Sequence, residues 1–333
     1  MTTQRTWFRL PARLDILLPL VAGLALGSCA QSTNLLSLAG PGFEGHYAPR
    51  PTPAASSDST IRIATFNIRY ALEIDRAVEV LRGDSLRGAD ILALQEMDTA
   101  AVERIARTLG YDYAFYPAVI HATSRRYFGP ALLSRWPIER SWKVLLPHAG
   151  WTRGQRRTAT AAIVRIRETR VLAYATHLET PVQLSDRKRA DQAQALLDDA
   201  ADWRGPVVIA GDFNSEGVGL QMAEAGYVWL TRRIGPTVAW FSWDHVFVRG
   251  LAPSTPRSAG VVHDNRGASD HHPVWAVATV IPSEARDLAG PSKIPRFARD
   301  DSAASLDDSA TSPDDTTTAA ASTPEPPSPP ASR

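Results

Sequence analysis

Short apolar runs separated by polar loops occupy residues 61–280 and predict an alternation of strands and helices. Strands are predicted at 61–67, 90–96, 113–119, 128–134, 161–167, 171–176, 207–210 and 242–248. Helical spacing predicts helices at 72–81, 99–109, 185–203 and 218–225. Thr99 is the expected N-cap of the second helix, and Gly110 is expected to end it. A single domain over 61–280 is therefore predicted to carry the function.

The two ends of the chain lack this periodicity. Residues 30–60 are rich in Ser, Pro, Gly and Ala, which is typical of a flexible tether. Residues 281–333 are rich in Pro, Ser, Thr and Asp and nearly free of aromatic side chains, which predicts a disordered tail. The tail is acidic, whereas residues 61–280 carry a slight net positive charge. This charge suits an anionic substrate but does not establish one.

The first 29 residues have the pattern of an export signal. Three arginines precede an apolar run at 16–26 that is short for a membrane span, and small residues lead to Cys29. Residues 26–29 resemble the bacterial lipobox, in which the cysteine is lipidated and becomes the new N-terminus. We expect an exported cell-envelope lipoprotein, anchored in the membrane through Cys29. An ordinary signal peptide and an uncleaved anchor helix are the alternatives.

Cys29 is also the only cysteine in the chain. An intramolecular disulfide and a thiolate zinc site are therefore excluded. The chemistry of the middle segment has to come from oxygen and nitrogen side chains.

Polar residues stand where the predicted strands end. Asp212 and Asn214 follow the run at 207–210, and two residues two positions apart share one side of an extended chain. Gly211 between the strand and this pair permits a sharp exit. Carboxylate and amide oxygens are ligands of hard cations. A simple turn explains the pair equally well, because Asp and Asn favour turns.

The same arrangement recurs at other predicted strand ends. The additional residues are Asn67, Glu96, His177, Asp244, Asp270 and His271. Because a sheet collects its strand ends at common edges, we expect these side chains to meet. Charged groups at such an edge need partners, and a divalent metal with a bound anion would supply them.

Seven motifs occur in the order seen in the endonuclease/exonuclease/phosphatase superfamily, which the chain resembles over essentially all of 61–280. They are Thr65-x-Asn67, Gln95-Glu96, Leu133-Ser134-Arg135-Trp136-Pro137-Ile138, Thr176-His177-Leu178, Gly211-Asp212-Phe213-Asn214, Asp244-His245-Val246-Phe247 and Ser269-Asp270-His271. The superfamily contains deoxyribonuclease-like nucleases, abasic-site endonucleases, sphingomyelinases and inositol-polyphosphate phosphatases. The resemblance implies an α/β fold, a four-layer α-β-β-α sandwich of two mixed β-sheets, and a metal-dependent hydrolase acting on phosphate ester bonds.

The resemblance also implies a set of metal ligands. Glu96 is implied as the principal Mg²⁺ ligand, with Asn67 beside it. Asp212, Asp244 and Asp270 complete the implied set. Asp244 matches an acidic position near the leaving group or a second metal, and it counts among the catalytic residues. Ligands of this kind suit Mg²⁺ or Mn²⁺.

The remaining implied roles are catalytic. His271 resembles the general base, and Asp270 the carboxylate that orients its ring. Asp212 and Asn214 would orient the attacking water and the phosphate. His177 would donate a hydrogen bond to a non-bridging phosphoryl oxygen. A histidine held by a carboxylate has a raised pKa, so activity is expected to fall as the imidazole is protonated.

Two basic loops are expected to border the cleft and bind substrate. One contains Arg125, Arg126 and Tyr127, and the other contains Arg153, Arg156 and Arg157. An ordinary solvent-exposed surface explains them equally well. The chain has neither a long basic run nor a stacking series of aromatic residues, so avid binding of duplex nucleic acid is not indicated.

The expected substrate is a phosphate ester in a nucleic acid, a phospholipid head group or a sugar phosphate, and the protein is expected to be a monomer. His245, at a position that is often aromatic or basic in the superfamily, leaves the choice among substrates open. A nuclease of the same superfamily and a catalytically silent, envelope-anchored binding module are the alternatives. An intact set of Glu96, Asp212 and His271 counts against the silent module, because a scaffold needs no general base.

Overall fold

Two mixed β-sheets lie face to face in this computed structural model, which describes residues 31–49, 59–152 and 154–281. The strands are β1 (Thr33–Asn34), β2 (Phe43–Gly45), β3 (Thr60–Asn67), β4 (Ile91–Met97), β5 (Asp112–Phe115), β6 (Val119–Ile120), β7 (Tyr127–Ser134), β8 (Ile138–Ala149), β9 (Arg156–Ile166), β10 (Thr169–His177), β11 (Val207–Asp212), β12 (Val228–Trp229), β13 (Asp244–Arg249), β14 (Leu251–Pro253), β15 (Ala259–Val261) and β16 (Val274–Val280). The helices are α1 (Ile74–Leu81), α2 (Thr99–Leu109), α3 (Asp186–Asp199) and α4 (Val218–Glu224), and a 3₁₀ turn covers Arg69–Ala71.

Strand pairing defines the two sheets. The first has the order β1-β6-β7-β4-β3-β16-β14, with β5 beside β7, β2 beside β5 and β15 beside β16. The second has the order β12-β13-β11-β10-β9-β8. The pairs β3–β4 and β10–β11 are parallel, whereas neighbours such as β4–β7, β9–β10 and β11–β13 are antiparallel. Both sheets are therefore mixed.

Strands that are apolar on both faces explain the layering. In β4, Ile91 and Ala93 face the second sheet, whereas Leu92 faces the helices outside. In β11, Val208 faces the core between the sheets, and Ile209 faces the outer helices. Successive side chains alternate across a strand, so an unbroken apolar run requires cover on both sides. The predicted four-layer α-β-β-α sandwich is confirmed.

The helices supply the two outer layers. Helices α1 and α2 pack on the first sheet, and α3 and α4 pack on the second. Asp98, rather than Thr99, caps α2 by accepting a hydrogen bond from Ala101 N at 2.9 Å, and Gly110 ends the helix with φ 69°. The helix predicted at 72–81 begins at Ile74, because the 3₁₀ turn precedes it. No helix within the described residues is both long and apolar enough to cross a bilayer.

Some elements differ from the predicted pattern. The strand predicted at 113–119 is divided into β5 and β6 around Pro117, which lacks an N–H for the ladder. The long strand β8 escapes prediction because its apolar and polar residues do not alternate regularly. The helix predicted at 185–203 ends earlier, at Asp199.

Residues 31–49 pack on the domain, so the prediction of a flexible tether is wrong for this part of 30–60. Strand β1 pairs with β6, and β2 pairs with β5. Lys143 in β8 is 1% exposed, and its Nζ donates to the carbonyl oxygens of Leu35, Ser37 and Gly40 at 3.0 Å each. The segment thereby supplies acceptors for a buried ammonium group, whose desolvation would otherwise be costly. The acceptors are backbone carbonyl oxygens, so the pattern of side chains in this segment does not predict these contacts.

Gly211 allows β10 and β11 to approach closely, and it does not form the turn that follows β11. It pairs with Thr176 of β10, and a Cβ at this position would collide with the Thr176 carbonyl oxygen. The left-handed turn comes later, at Asn214, with φ 49°. Asn adopts this conformation more readily than most residues.

The predicted export signal and Cys29 lie outside the described residues, as do Arg153, residues 50–58 of the predicted tether and the predicted tail from residue 282 onward.

Candidate active site

Five strands bring polar side chains to one edge, where the two sheets face each other. Asn67 ends β3, His177 ends β10 and Asp212 ends β11. Asp244 begins β13, and Glu96 is the penultimate residue of β4. Strand register pairs His177 with Asp212, and Asp212 with Asp244. Paired residues on neighbouring strands project from the same face, so these three side chains converge.

Asp212 lies at the centre of this group and is 1% exposed. Its Oδ2 accepts a hydrogen bond from Asn67 Nδ2 at 3.1 Å. The same oxygen lies 3.4 Å from His177 Nε2 and 3.7 Å from His271 Nε2. Burial raises the pKa of Asp212 to about 7, against the opposing charge of His271.

His271 is held by Asp244, which is fully buried. His271 Nδ1 lies 2.9 Å from Asp244 Oδ2. Its backbone N donates to Ser269 Oγ at 3.1 Å, and Ser269 Oγ donates to the carbonyl oxygen of Asn67 at 2.7 Å. Burial alone would lower the pKa of His271, but the carboxylates of Asp244 and Asp212 outweigh it and raise the pKa to about 10. Asp244 thus both orients the ring and favours its protonated form.

The prediction that Asp270 orients His271 is wrong, because Asp244 occupies that position. The Asp270 side chain is 54% exposed, and its Oδ2 lies 3.8 Å from Arg69 Nε. Side chains of consecutive residues diverge, so a carboxylate next to His271 in sequence does not reach Nδ1 of its ring. Asp270 is also not among the ligand atoms that cluster around Asp212.

A buried arginine determines the tautomer of His177. Arg157 Nη1 lies 3.1 Å from His177 Nδ1, and since a guanidinium only donates, Nδ1 is the acceptor. The ring hydrogen is therefore on Nε2, which faces Asp212. Glu179 holds Arg157 through two hydrogen bonds of 3.1 and 2.9 Å. Burial, together with the charge of Arg157, lowers the pKa of His177 well below its usual value, so the ring is a neutral donor.

Glu96 occupies a left-handed backbone conformation, with φ 63°, where the register between β4 and β7 shifts. Bulges of this kind redirect side chains beside active sites, and the conformation costs about 1–3 kcal/mol. Glu96 Oε2 accepts from Tyr70 N at 2.9 Å, and Oε1 accepts from Asn67 Nδ2 at 3.3 Å. Because the same Nδ2 donates to Asp212, one amide group links the two carboxylates. Burial raises the pKa of Glu96, against the charge of Arg157.

The donor set fits a hard divalent cation. Ligand atoms of Asp212, Asp244 and His271 lie within 4.8 Å of one another, and all three residues are buried. Asp244 Oδ1 is buried and has no hydrogen-bond partner within the described residues. A buried carboxylate oxygen without a partner is costly, and a cation would satisfy it. Glu96, the predicted principal ligand, adjoins this cluster, because Asn67 Nδ2 donates to both Glu96 and Asp212.

Asn214 shapes the turn that follows Asp212. Its backbone N donates to Asp212 Oδ1 at 2.9 Å, and its Nδ2 donates to the carbonyl oxygen of Leu178 at 3.0 Å. These bonds fix the Asp212 carboxylate and the chain after His177. Asn214 thereby orients Asp212, and its predicted role toward the attacking water and the phosphate stays a prediction.

The first basic loop lies only partly at the cleft. Arg126 forms an ion pair with Asp98 and donates to the carbonyl oxygen of Tyr70 at 3.4 Å. Arg125 is exposed. Tyr127 packs against Phe43 with ring centroids 5.3 Å apart, beside the core under α2. Tyr127 is therefore a packing residue, and its prediction as a substrate contact is wrong.

Arg156 and Arg157 of the second basic loop have different roles. Arg157 is buried between Glu179 and His177, so it positions a catalytic side chain from within the cleft wall. Arg156 begins β9, and its backbone N donates to Asn34 Oδ1 at 2.7 Å. Arg156 therefore joins the edge of the domain to residues 31–49.

His245 is a structural residue. It is fully buried, and Trp229 Nε1 donates to its Nδ1 at 3.3 Å. Its Nε2 lies 3.2 Å from the carbonyl oxygen of Ser215. Burial lowers the pKa of His245 to about 4. The ring packs on the side of β13 away from Asp244, so this residue does not bear on the substrate.

A cavity of about 260 Å³ opens beside Glu96, and sequence patterns do not mark most of its lining. Tyr70, His121 and Phe128 form an aromatic wall, with ring centroids 5.2 to 5.5 Å apart. Arg157 closes another side. No motif unites these residues, because they are neighbours only after folding.

A larger cavity of about 690 Å³ lies near the opposite end of β4 and is lined by residues such as Arg82, Arg135 and Trp136. It contains none of the converging carboxylates and imidazoles. The chemical character of the lining residues, rather than the cavity volume, therefore identifies the active site.

Two facing mixed sheets, with a carboxylate and imidazole cluster suited to a metal at their common edge, define a metal-dependent hydrolase of phosphate esters. A profile of the Endonuclease/Exonuclease/phosphatase family matches residues 64–271. This match spans more than half of the chain, and the protein belongs to that family. Its members generally use divalent metal ions to hydrolyse phosphate esters.

Several solved structures share the fold. An endonuclease/exonuclease/phosphatase from Beutenbergia cavernae is 22% identical, with coverage of 67% of this chain and 72% of that one and a TM-score of 0.55. D. rerio TDP2 complexed with single-strand DNA product is 18% identical, with 67% and 100% coverage and a TM-score of 0.53. The human Nocturnin catalytic domain with bound sulfate anion is 19% identical, with 67% and 95% coverage and a TM-score of 0.51. Among curated proteins, none matches this chain significantly.

Proposed function

We propose that this protein is a Mg²⁺- or Mn²⁺-dependent phosphodiesterase that uses water as the nucleophile and His271 as the general base. The observation that carries the proposal is the convergence of His177, His271 and Asn67 on one buried oxygen of Asp212. Phosphodiester hydrolysis needs an aligned nucleophile and relief of charge on the phosphoryl oxygens. A base, hydrogen-bond donors and acidic ligands meet at this point to supply both.

Each side chain has a defined task in this mechanism. A water held by Asp212 transfers its proton to His271 Nε2, and Asp244 stabilises the imidazolium through Nδ1–H. His177 Nε2–H donates to a non-bridging phosphoryl oxygen. Asp212, Asp244 and Glu96 would hold the cation, which when bound polarises the phosphoryl group and neutralises part of its charge. Oxygen ligands favour Mg²⁺ or Mn²⁺ for this role.

The experiment that tests the function is hydrolysis of bis-p-nitrophenyl phosphate by the purified protein. Activity should require Mg²⁺ or Mn²⁺, stop with chelator and return when metal is added. If the wild type and His271→Ala are equally inert on this and other phosphate esters with metal present, the protein is a binding module.

Glu96→Gln keeps the shape of the side chain and removes its charge. We expect the metal concentration for half-maximal activity to rise by about tenfold or more. Glu79→Gln is the matched control, because Glu79 is an exposed glutamate on α1 paired with Arg266. An unchanged metal titration in Glu96→Gln would place the ligand elsewhere.

A nuclease is the second candidate function. Arg69 and Arg125 are exposed beside the cleft, and D. rerio TDP2, which shares the fold, is complexed with a single-strand DNA product. A nuclease that uses these cations should lose activity on single-stranded oligonucleotides steeply as salt increases.

We also propose that the protein is exported and anchored to the membrane through lipidated Cys29. The lipobox-like residues 26–29 and the absence of any other cysteine support this. Cys29→Ser should move the protein from the membrane fraction to the soluble fraction of cells, because the acyl chains are lost. Persistent membrane fractionation of the variant would show that an acyl chain on Cys29 is not the main anchor.

A further inference from the structure

Exposed apolar side chains surround the mouth of the active-site cleft. The described residues include eleven large apolar side chains that are exposed, and six of them lie on four loops next to the catalytic residues. The six are Tyr70, Leu72, Trp151, Val182, Trp240 and Phe241. Single exposed apolar residues are ordinary, but a concentration around one cleft marks an interaction surface. We call these six residues the apolar rim.

The first loop of the apolar rim is connected directly to the general base. Trp240 is 79% exposed and Phe241 is 40% exposed. Val238 forms antiparallel bridges with both Phe241 and His271. The ring of Phe241 stacks on Trp243 with centroids 4.5 Å apart. The loop that carries Trp240 and Phe241 is therefore held by ring stacking and is joined through Val238 to the backbone of the catalytic histidine.

The second and third loops border the cavity beside Glu96. Trp151 is 76% exposed and Val182 is 74% exposed. Trp151 Nε1 donates to the carbonyl oxygen of Val182, so the two loops are joined. Their neighbours Thr152 and Gln183 line the cavity beside Glu96.

The fourth loop completes the apolar rim. Tyr70 is 41% exposed and Leu72 is 60% exposed. Tyr70 lines the same cavity, and its backbone N donates to Glu96. All four loops thus contact catalytic residues or line the cavity next to them.

Resting on the proposed function, we infer that the apolar rim docks on a lipid surface and that the substrate is a phosphodiester head group carried in that surface. Tryptophan with aliphatic neighbours is the composition that enters a membrane interface. Leu72 and Val182 offer no ring for stacking on bases, which single-stranded nucleic acid requires. The exposed Arg69, next to Tyr70 in the chain, and the exposed Arg125, whose backbone N donates to His121, suit the phosphates of such a surface.

The depth of the catalytic group fits this inference. Asp212 is 1% exposed, so a scissile phosphate has to enter the cleft to reach it. A head group that projects from a bilayer reaches inward when the surrounding apolar rim enters the interface. The apolar rim would then align the cleft with the lipid surface and exclude bulk water from the reaction.

The test uses the full chain with Cys29→Ser, so that no acyl chain contributes to membrane binding. Trp151→Ser and Trp240→Ser are combined, and hydrolysis is measured on phosphatidylcholine, phosphatidylglycerol and sphingomyelin vesicles and on soluble bis-p-nitrophenyl phosphate. We expect the wild-type rim to support hydrolysis of at least one vesicle lipid. The double variant should lose about tenfold or more of that rate, because interfacial binding scales with buried apolar area, and keep its rate on the soluble ester.

The matched control combines Val228→Ser and Ile281→Ser. These residues are 39% and 44% exposed. Val228 pairs with Val248, four residues along β13 from Asp244, and Ile281 follows the end of β16 that is remote from His271. The control should retain both rates.

Several results would overturn the inference. Equal losses on vesicles and on the soluble ester would show that the rim only shapes the active site. An unchanged vesicle rate would show that the rim does not dock. Hydrolysis of the soluble ester without hydrolysis of any vesicle lipid would remove the substrate assignment, and a loss confined to a single-stranded oligonucleotide would assign the rim to bases.

A separate measurement distinguishes this inference from the proposed function. Brominated acyl chains quench tryptophan fluorescence on contact, and this quenching should decrease in the double variant relative to the control. If the wild type hydrolyses no phosphate ester with metal present, the proposed function fails. In that case, the quenching measurement alone decides whether the apolar rim docks on the lipid surface.

Discussion

His271→Ala should lower kcat for bis-p-nitrophenyl phosphate by about two to four orders of magnitude, the usual effect of losing a general base. His271 Nε2 faces Asp212 at 3.7 Å, and Nδ1 is held by Asp244 at 2.9 Å. Within the cluster around Asp212, His177 is fixed as a donor by Arg157, so it does not take over the proton. Steady-state kinetics with saturating metal measure the effect.

His272→Ala is the matched control for this prediction. The next residue carries the same ring, but it contacts His263, with centroids 5.6 Å apart. Removal of His271 leaves Asp244 unpaired and lowers stability, so His271→Asn and thermal unfolding separate lost chemistry from lost folding. Near-normal turnover in folded His271→Ala and His271→Asn would remove His271 from the role of base.

Asp244→Asn should lower the maximal rate by about two or more orders of magnitude and move the acid limb of the pH profile to lower pH. The base acts only when unprotonated, so activity falls as pH decreases through the pKa of His271. Asp244 and Asp212 raise that pKa to about 10, and removing the Asp244 charge lowers it. His271 then stays neutral at lower pH, but its imidazolium is less stabilised. The measurement is kcat/KM against pH at saturating metal.

Asp270→Asn is the control that separates the two candidate carboxylates. Asp270 is next to His271 in sequence, but its side chain is 54% exposed and faces Arg69. Its acid limb should stay close to that of the wild type, because solvent screens an exposed charge. A larger shift for Asp270→Asn than for Asp244→Asn would reverse the assignment.

Local patterns in the chain predicted most of the architecture. The apolar runs at 61–67, 90–96 and 207–210 correspond to β3, β4 and β11, and their burial on both faces produced the sandwich. The motif order predicted which family the chain belongs to. Prediction was weakest for β8 and for residues 31–49. Strand β8 has no regular alternation of apolar and polar residues. Residues 31–49 are held by backbone pairing and by hydrogen bonds from the buried Lys143.

The sequence predicted the convergence of several side chains at the strand ends, but not their contacts. Asn67, Glu96, His177, Asp212 and His271 do converge. Their partners come from distant positions: Asp244 holds His271, and Glu179 holds the Arg157 that fixes His177. Such contacts depend on strand order and register, which side-chain periodicity does not record.

By itself, the sequence determined strands such as β3, β4 and β11 with their two apolar faces, and it placed acids, amides and imidazoles at the strand ends. A period of two reports which faces are buried, because alternate side chains share a face. The tertiary structure alone decided that Asp244 and not Asp270 orients His271, that Arg157 is buried, and that six apolar side chains surround the cleft. The physical reason is that partners are set by the register of neighbouring strands and the meeting of two sheets, and residues far apart in the chain share no local pattern.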